Sequence, residues 1–229
     1  MPLSHKTGKK VVIEITSQTG LLTFYWFICR IILYNRVIMP FLADKMKKLT
    51  SILTLFVFLV VPQVVFSDLF FSEYIEGSSS NKALEIYNPT DAAVDLSGYE
   101  IWRIANGGDW SEGMGNAVVL SGYSVDAGDV FVICNSSIAE EYSGECDILG
   151  TTATYYNGDD AVGLAHNGVL IDAVGEEGDD PGYGWDVAGV TDATKEHTLV
   201  RKFSVTQGNT DWDLSAGTNI DNSEWSVYP

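Results

Sequence analysis

Residues Leu69–Ile101 read LFFSEYIEGSSSNKALEIYNPTDAAVDLSGYEI, and the reading of this stretch decides the fold. Two runs rich in Val, Ile, Tyr and Phe suit a pleated, half-buried surface, with Gly77–Asn81 between them as a polar turn. In Lys82–Asn88 the alternation is plain: Leu84 and Ile86 point one way, Ala83, Glu85 and Tyr87 the other. Asn88-Pro89 ends that strand, because Pro89 has no amide to give to a ladder. Leu96-Ser97-Gly98-Tyr99 reads as a corner where the chain leaves one sheet, with Gly98 supplying backbone freedom.

The same grammar continues to the C-terminus. Short apolar runs recur at Tyr99–Ala105, Asn116–Leu120, Val130–Cys134, Ala161–Ala165, Val169–Val174 and Thr198–Lys202, separated by Gly, Asn, Asp and Ser. No long amphipathic helical pattern occurs, so the spacing predicts an all-β sandwich. Asn167-Gly168 stands between two apolar runs and predicts a two-residue type I′ hairpin, which needs positive φ at both positions. Asn157-Gly158 is a second turn signal ahead of Asp159-Asp160. Those two aspartates either cap the turn's amides, the commoner use, or bind a cation.

SEYIEGSSSNKALEIYNPT followed by VDLSGYEI resembles the opening of the lamin tail domain family. The likeness continues through Tyr156–Leu164 (YNGDDAVGL), His166–Gly175 (HNGVLIDAVG), His197–Lys202 (HTLVRK) and Glu224–Pro229 (EWSVYP). The resemblance implies an immunoglobulin-like β-sandwich, of the kind found in secreted bacterial proteins as well as nuclear lamins, and it brings no common catalytic motif. Nuclear lamina function is not carried over, since no coiled-coil rod accompanies the domain.

Charge divides the chain. Residues 1–67 hold 8 Lys+Arg against 2 Asp+Glu, a net +6, while residues 68–229 hold 5 against 29, a net −24. Within the basic part, Lys45-Met46-Lys47-Lys48 precedes an apolar run from Leu49 to Val61, and Val65 and Ser67 stand at −3 and −1 of a cut after Ser67. That is the layout of a signal peptide over 46–67. The alternative is a membrane anchor, but a span needs about twenty residues and this run is shorter. Residues 1–45 read as an upstream extension from a misassigned start. The rival is a membrane segment in Leu21–Leu42, which Arg30 and Arg36 interrupt at a cost of about 2.5–3.5 kcal/mol for a mid-bilayer charge. The expectation is a domain over 68–229, secreted, periplasmic or on the cell surface, with no membrane span in its mature form.

Cys134 and Cys146 make an even pair behind that signal and read as a disulfide, worth about 3 kcal/mol in the chain-entropy model. A zinc site is the alternative, but two cysteines with no nearby histidine make a poor set. Trp102 lies in a strand pattern and reads as core. Trp110 and Trp185 lie in loops, either as a binding platform for sugars or peptides or folded back as lids. The densest acidic loop holds Glu176, Glu177, Asp179 and Asp180, which either gather Ca²⁺ through oxygen ligands or stand as solvated charge.

His166 and His197 are the domain's histidines and neither has a partner pattern. G-x-S-x-G, H-E-x-x-H and a phosphate-cradling loop are all missing from the sequence. The negative charge argues against nucleic acid or anionic lipid, which draw on Lys and Arg, and Lys82, Arg103, Lys195, Arg201 and Lys202 are the domain's whole supply. Two functions remain: a non-catalytic module that binds a protein or a cell-surface polymer, and an accessory domain or minimal secreted hydrolase, with or without calcium. Convergent carboxylates in a deep pocket would favour the second.

Overall fold

The computed structural model describes residues 67–229. The expected upstream extension, the rival membrane segment and all but the last residue of the expected signal peptide lie outside the described residues. Twelve strands follow in chain order: β1 (Phe70–Glu76), β2 (Lys82–Tyr87), β3 (Val94–Asp95), β4 (Tyr99–Ile104), β5 (Val118–Val119), β6 (Ser124–Val125), β7 (Val130–Cys134), β8 (Ile148–Leu149), β9 (Ala161–His166), β10 (Val169–Val174), β11 (His197–Arg201) and β12 (Trp225–Tyr228). Two short helices interrupt them, α1 (Trp110–Gly115) and α2 (Trp212–Ala216). Among the described residues no helix is long and apolar enough to cross a membrane.

The strands form an immunoglobulin-like β-sandwich. One sheet has the order β12-β11-β1-β2-β7-β8, the other β10-β9-β4-β5, and β3 pairs with β6 at the side. Phe71, Tyr74, Leu84, Ile86, Ile133 and Leu199 from the first sheet share one buried cluster with Ile101, Ile104, Val162, Leu164 and Val174 from the second. Burying each such side chain contributes about 1.5–3 kcal/mol, so the apolar alternation of the sequence is the main source of stability. The β9–β10 turn has Asn167 at φ 52° and Gly168 at φ 75°, the type I′ geometry the dipeptide favours. Asn88 does more than stop β2: its side chain is buried and donates to the carbonyls of Ala92, Val125 and Asp126, tying the loop after β2 to the end of β6.

Two details differ from the sequence reading. Leu96–Gly98 is a 3₁₀ turn between β3 and β4, and Gly98 is marked by its closeness to the neighbouring hairpin rather than by a positive φ. A Cβ there would lie 2.7 Å from Asn167 Oδ1 in the neighbouring hairpin. Asp159 and Asp160 do not cap their own turn. Asp160 reaches across to the Asn106 amide and the Arg103 guanidinium, both at 3.3 Å, while the buried Asp159 Oδ1 accepts no hydrogen bond.

Cys134 and Cys146 are joined, with Cα atoms 5.9 Å apart. The bridge ties the end of β7 to the segment leading into β8.

Bulges in β1, between Phe71 and Glu73, and in β10, between Leu170 and Asp172, meet at a buried ion pair. A bulge turns a side chain out of the strand's alternation, and Asp172 is fully buried. Arg201 Nη2 donates to both its carboxylate oxygens, at 2.7 and 2.6 Å. Pairing of β1 with β11 begins only at Glu73. The Phe71 amide therefore donates to Asp172 Oδ2 at 2.8 Å, and its carbonyl accepts from Arg201 Nε at 3.1 Å. Arg201 Nη1 also reaches Glu224 Oε2 at 2.6 Å, and the guanidinium lies 3.9 Å from the Trp225 ring centre.

Removing one member of a buried pair leaves the other charged and unpaired. Arg201→Met is expected to destabilise the fold by about 3–5 kcal/mol, measured by urea unfolding.

At the start of β1, Asp68 is held by the Tyr99 hydroxyl, by His166 Nδ1 at 2.8 Å and by the Leu69 amide at 2.8 Å. Burial alone would raise its carboxyl. The bonds from Tyr99, His166 and Leu69 outweigh that and hold it below the ordinary carboxylate range. A depressed acid stabilises the fold above its unfolded pKa, about 3.9, and that stabilisation is lost as pH falls through the folded value. Asp68→Asn is expected to cost about 0.5–1 kcal/mol at pH 7, since the pair is half exposed. The loss should shrink as pH falls below that unfolded value in the same unfolding measurement.

Candidate functional site

The acidic loop leaves β10 at Gly175, which has φ +79°. A Cβ at this position would lie 2.7 Å from the Trp185 ring, so glycine here serves both the turn and the ring packed on it. Beyond it the four acidic side chains separate. Glu177 Oε2 accepts the Trp110 amide at 3.0 Å, at the start of α1. Asp179 Oδ2 accepts Trp185 Nε1 at 2.9 Å, and Asp180 Oδ1 accepts the Gly182 amide at 3.0 Å. Glu176 makes no such bond and lines a cleft.

That cleft, of about 340 Å³, is lined by Glu176, Asp179, Trp185, Asp186, Trp212 and Asp213, with the chain from Ala216 to Thr218 at one side. Trp185 and Trp212 are both buried and meet edge to face at 6.3 Å between ring centres, a favourable aromatic geometry. The polypeptide is held in place here by backbone bonds as well: Ala188 N donates to Ala216 O at 2.9 Å, joining the segment after Trp185 to α2. Asp211 caps α2 by accepting the Leu214 amide.

Of the residues singled out from the sequence, Glu176, Asp179 and Trp185 come together in this cleft. Glu177 and Asp180 are spent on amides outside it. Trp110 is half-buried and packs against the core at Gly163, whose Cβ position lies 3.0 Å from its ring. Trp212, Asp213 and Asp186 were not singled out. The acidic Asp211-Trp212-Asp213 triplet repeats the aromatic-plus-carboxylate composition of the loop, but nothing in its spacing says that α2 packs beside Trp185.

Electrostatically the cleft is one-sided. Burial, then the charges of Asp213, Asp179 and Asp211, push the Glu176 carboxyl above its ordinary value. The domain's cations are engaged elsewhere: Lys82 and Lys195 at Glu76, Arg103 at Asp160, Arg201 at Asp172 and Glu224. Lys202 donates to the carbonyls of Ile220 and Ser223. Among the described residues no three His, Cys, Asp or Glu side chains gather into a set that could hold a metal ion. A second cleft, of about 450 Å³, runs past Arg103, Asn116 and Thr152, and its one charged residue is already 3.3 Å from Asp160.

The packing of Gly175 on Trp185 makes the cleft floor sensitive to a single methyl group. Gly175→Ala is expected to cost about 1–3 kcal/mol through overpacking and to shift tryptophan emission to longer wavelength as Trp185 is displaced, readable by fluorescence during urea unfolding.

In comparison with known families, the model described as Lamin Tail Domain matches residues 63–178, just over half of the 229-residue chain. No curated protein matches the chain.

Proposed function

The chain belongs to the lamin tail domain family, and we propose that it is a non-catalytic binding module that holds a protein or a cell-surface polymer at the cleft beside the acidic loop. The observation that carries this reading is the cleft itself, a concave site with an aromatic floor and polar walls, the common character of ligand sites. It is built on a scaffold fixed by a buried ion pair and a disulfide. Every wall residue but Glu176 lies beyond the family match, which ends at residue 178. The family match thus covers strands β1 to β10, and the segment beyond it supplies β11, β12 and most of the cleft.

The placement of the histidines supports a non-catalytic role. His166 lies 2.8 Å from Asp68 and stacks on Tyr99 at 4.1 Å between ring centres, and His197 Nδ1 lies 2.6 Å from the Lys195 carbonyl. Neither lines the cleft. The disulfide supports an oxidising location, in the periplasm or outside the cell.

Thr218 lines the cleft and is exposed, so a bulky side chain there fills the cleft from its rim. Fluorescently labelled protein is expected to be retained on intact cells of its source in a saturable way, and Thr218→Trp is expected to abolish retention without changing the unfolding midpoint. Retention equal for the two proteins, or none for either, would overturn the reading.

A further inference from the structure

We infer that the cleft beside β5 is a second binding site, for a small organic acid whose single carboxylate seats on the unused edge of the Arg103 guanidinium. The acid's short apolar body lies against Ile101, Ala117 and Val118. This site shares no residue with the cleft at Trp185 and does not depend on it.

Ile101 and Arg103 stand two residues apart on β4 and so face the same side of the sheet. The cleft of about 450 Å³ is completed by the chain from Gly115 to Val118, which enters β5, and by Thr152, exposed at the start of a 3₁₀ turn. β5 has only two residues and ends the four-stranded sheet. Its pairing with β4 stops at Ile101, so Arg103 has no β5 residue beside it.

Most of the donors of Arg103 are unused. Among the described residues its one hydrogen bond runs from Nη1 to Asp160 Oδ2 at 3.3 Å, longer than the about 2.7–2.9 Å of a charge-assisted bond. Burial holds the Asp160 carboxyl above its ordinary range in spite of that contact. Nε is buried and has no partner, a costly state for a donor. The Nε–H and the neighbouring Nη2–H form the side-on edge of a guanidinium, which receives a carboxylate through two parallel bonds. Asp160 takes Nη1, on the other side, and leaves that edge whole. Arg103 lines the cleft and its side chain keeps 28% exposure, so a ligand there reaches the guanidinium.

The fold already shows one guanidinium serving two carboxylates. Arg201 bonds Asp172 through Nη2 and Glu224 through Nη1, and its Nε donates to the Phe71 carbonyl. Arg103 has the first half of that arrangement and an open edge for the second. Among the described residues no carboxylate lines this cleft, and Arg103 is its one charged residue. The net −24 of residues 68–229 opposes phosphates and polyanions, which bring more negative charge, and so favours a singly charged acid. Ile101, Ala117, Val118 and Ala153 make the rest of the lining largely apolar, with the Thr152 hydroxyl as a further donor at the rim.

The probe is sodium butyrate, titrated into ¹⁵N-labelled full-length protein at constant ionic strength and followed on the arginine Nε–Hε cross-peaks. Arg103 is identified by the peak that Arg103→Lys removes. Arg201, whose Nε is bonded to the Phe71 carbonyl, is the internal control. A saturable shift of the Arg103 peak with the Arg201 peak unmoved is expected. Butyramide, of the same shape without the charge, should bind about tenfold more weakly, as for the loss of a charge-assisted pair. Arg103→Lys keeps a cation for Asp160 but lacks the fork, and should weaken butyrate binding about tenfold, read on the Thr152 amide. Thr152→Trp fills the cleft from its exposed rim and should block the Arg103 shift without moving the urea midpoint, which keeps the test decisive if Arg103→Lys does not fold. No shift, a shift that does not saturate, equal shifts of Arg103 and Arg201, or butyramide binding as tightly as butyrate would each overturn the proposal. Unchanged butyrate affinity in Thr152→Trp would overturn it too.

Discussion

The buried pair of Asp172 and Arg201 is the constraint on which the rest of the sandwich depends. Asp172 belongs to the four-stranded sheet and Arg201 to the six-stranded one, so the pair bolts the two layers together. Burial of two charges is costly unless every lone pair and proton is answered. Here the answers come from all sides: the amides of Phe71, Ala173 and Asn209 on the carboxylate, and the Phe71 carbonyl, Ser215 and Glu224 on the guanidinium. Those partners fix where β1 may bulge, where β11 must stop pairing and where the chain before α2 has to lie. The C-terminal segment is thereby made part of the fold, and with it the residues that line most of the cleft.

The scaffold also determines the charge left on the surface. A domain with five cations and 29 acidic residues can spend its cations on the fold or present them to solvent. This one spends them on the fold. Glu76 alone, nearly fully buried, lies against both Lys82 and Lys195, and Arg103 and Arg201 answer buried aspartates. The residues near Trp185 and Trp212 are consequently negative without relief. An acidic patch of this kind reflects where the fold needed its positive charge as much as any selection for negative charge.

Some of the candidate site could be read in advance and some could not. The acidic loop and Trp185 stand out by composition, and the structure does bring Glu176, Asp179 and Trp185 to one place. The division of labour among the carboxylates was hidden, because an amide and a ligand attract the same oxygen. Glu177 and Asp180 serve Trp110 and Gly182 for reasons of distance alone. Asp160 shows the same effect, since a turn-capping signature gave way to a reach across to Arg103 and Asn106. Gly98 was identified correctly as special but for the wrong physical reason: it is short of space, and the neighbour that takes the space is nearly seventy residues away.

The sequence by itself determined what depends on near neighbours in the chain. Period-two alternation, the Asn-Gly hairpin and the Asn-Pro stop each express a local preference, and those preferences agree with one another, so an all-β sandwich was legible, while its immunoglobulin-like type came from the resemblance to the lamin tail domain family. Only the tertiary structure decided what depends on meeting. Arg201 looked like one of five available surface cations and is buried against a residue of the other sheet. Trp212 looked like one aromatic among several and forms half of the cleft floor. Periodicity records which way a side chain points from its own strand. What waits at the other end is fixed by packing between layers, which carries no period along the chain.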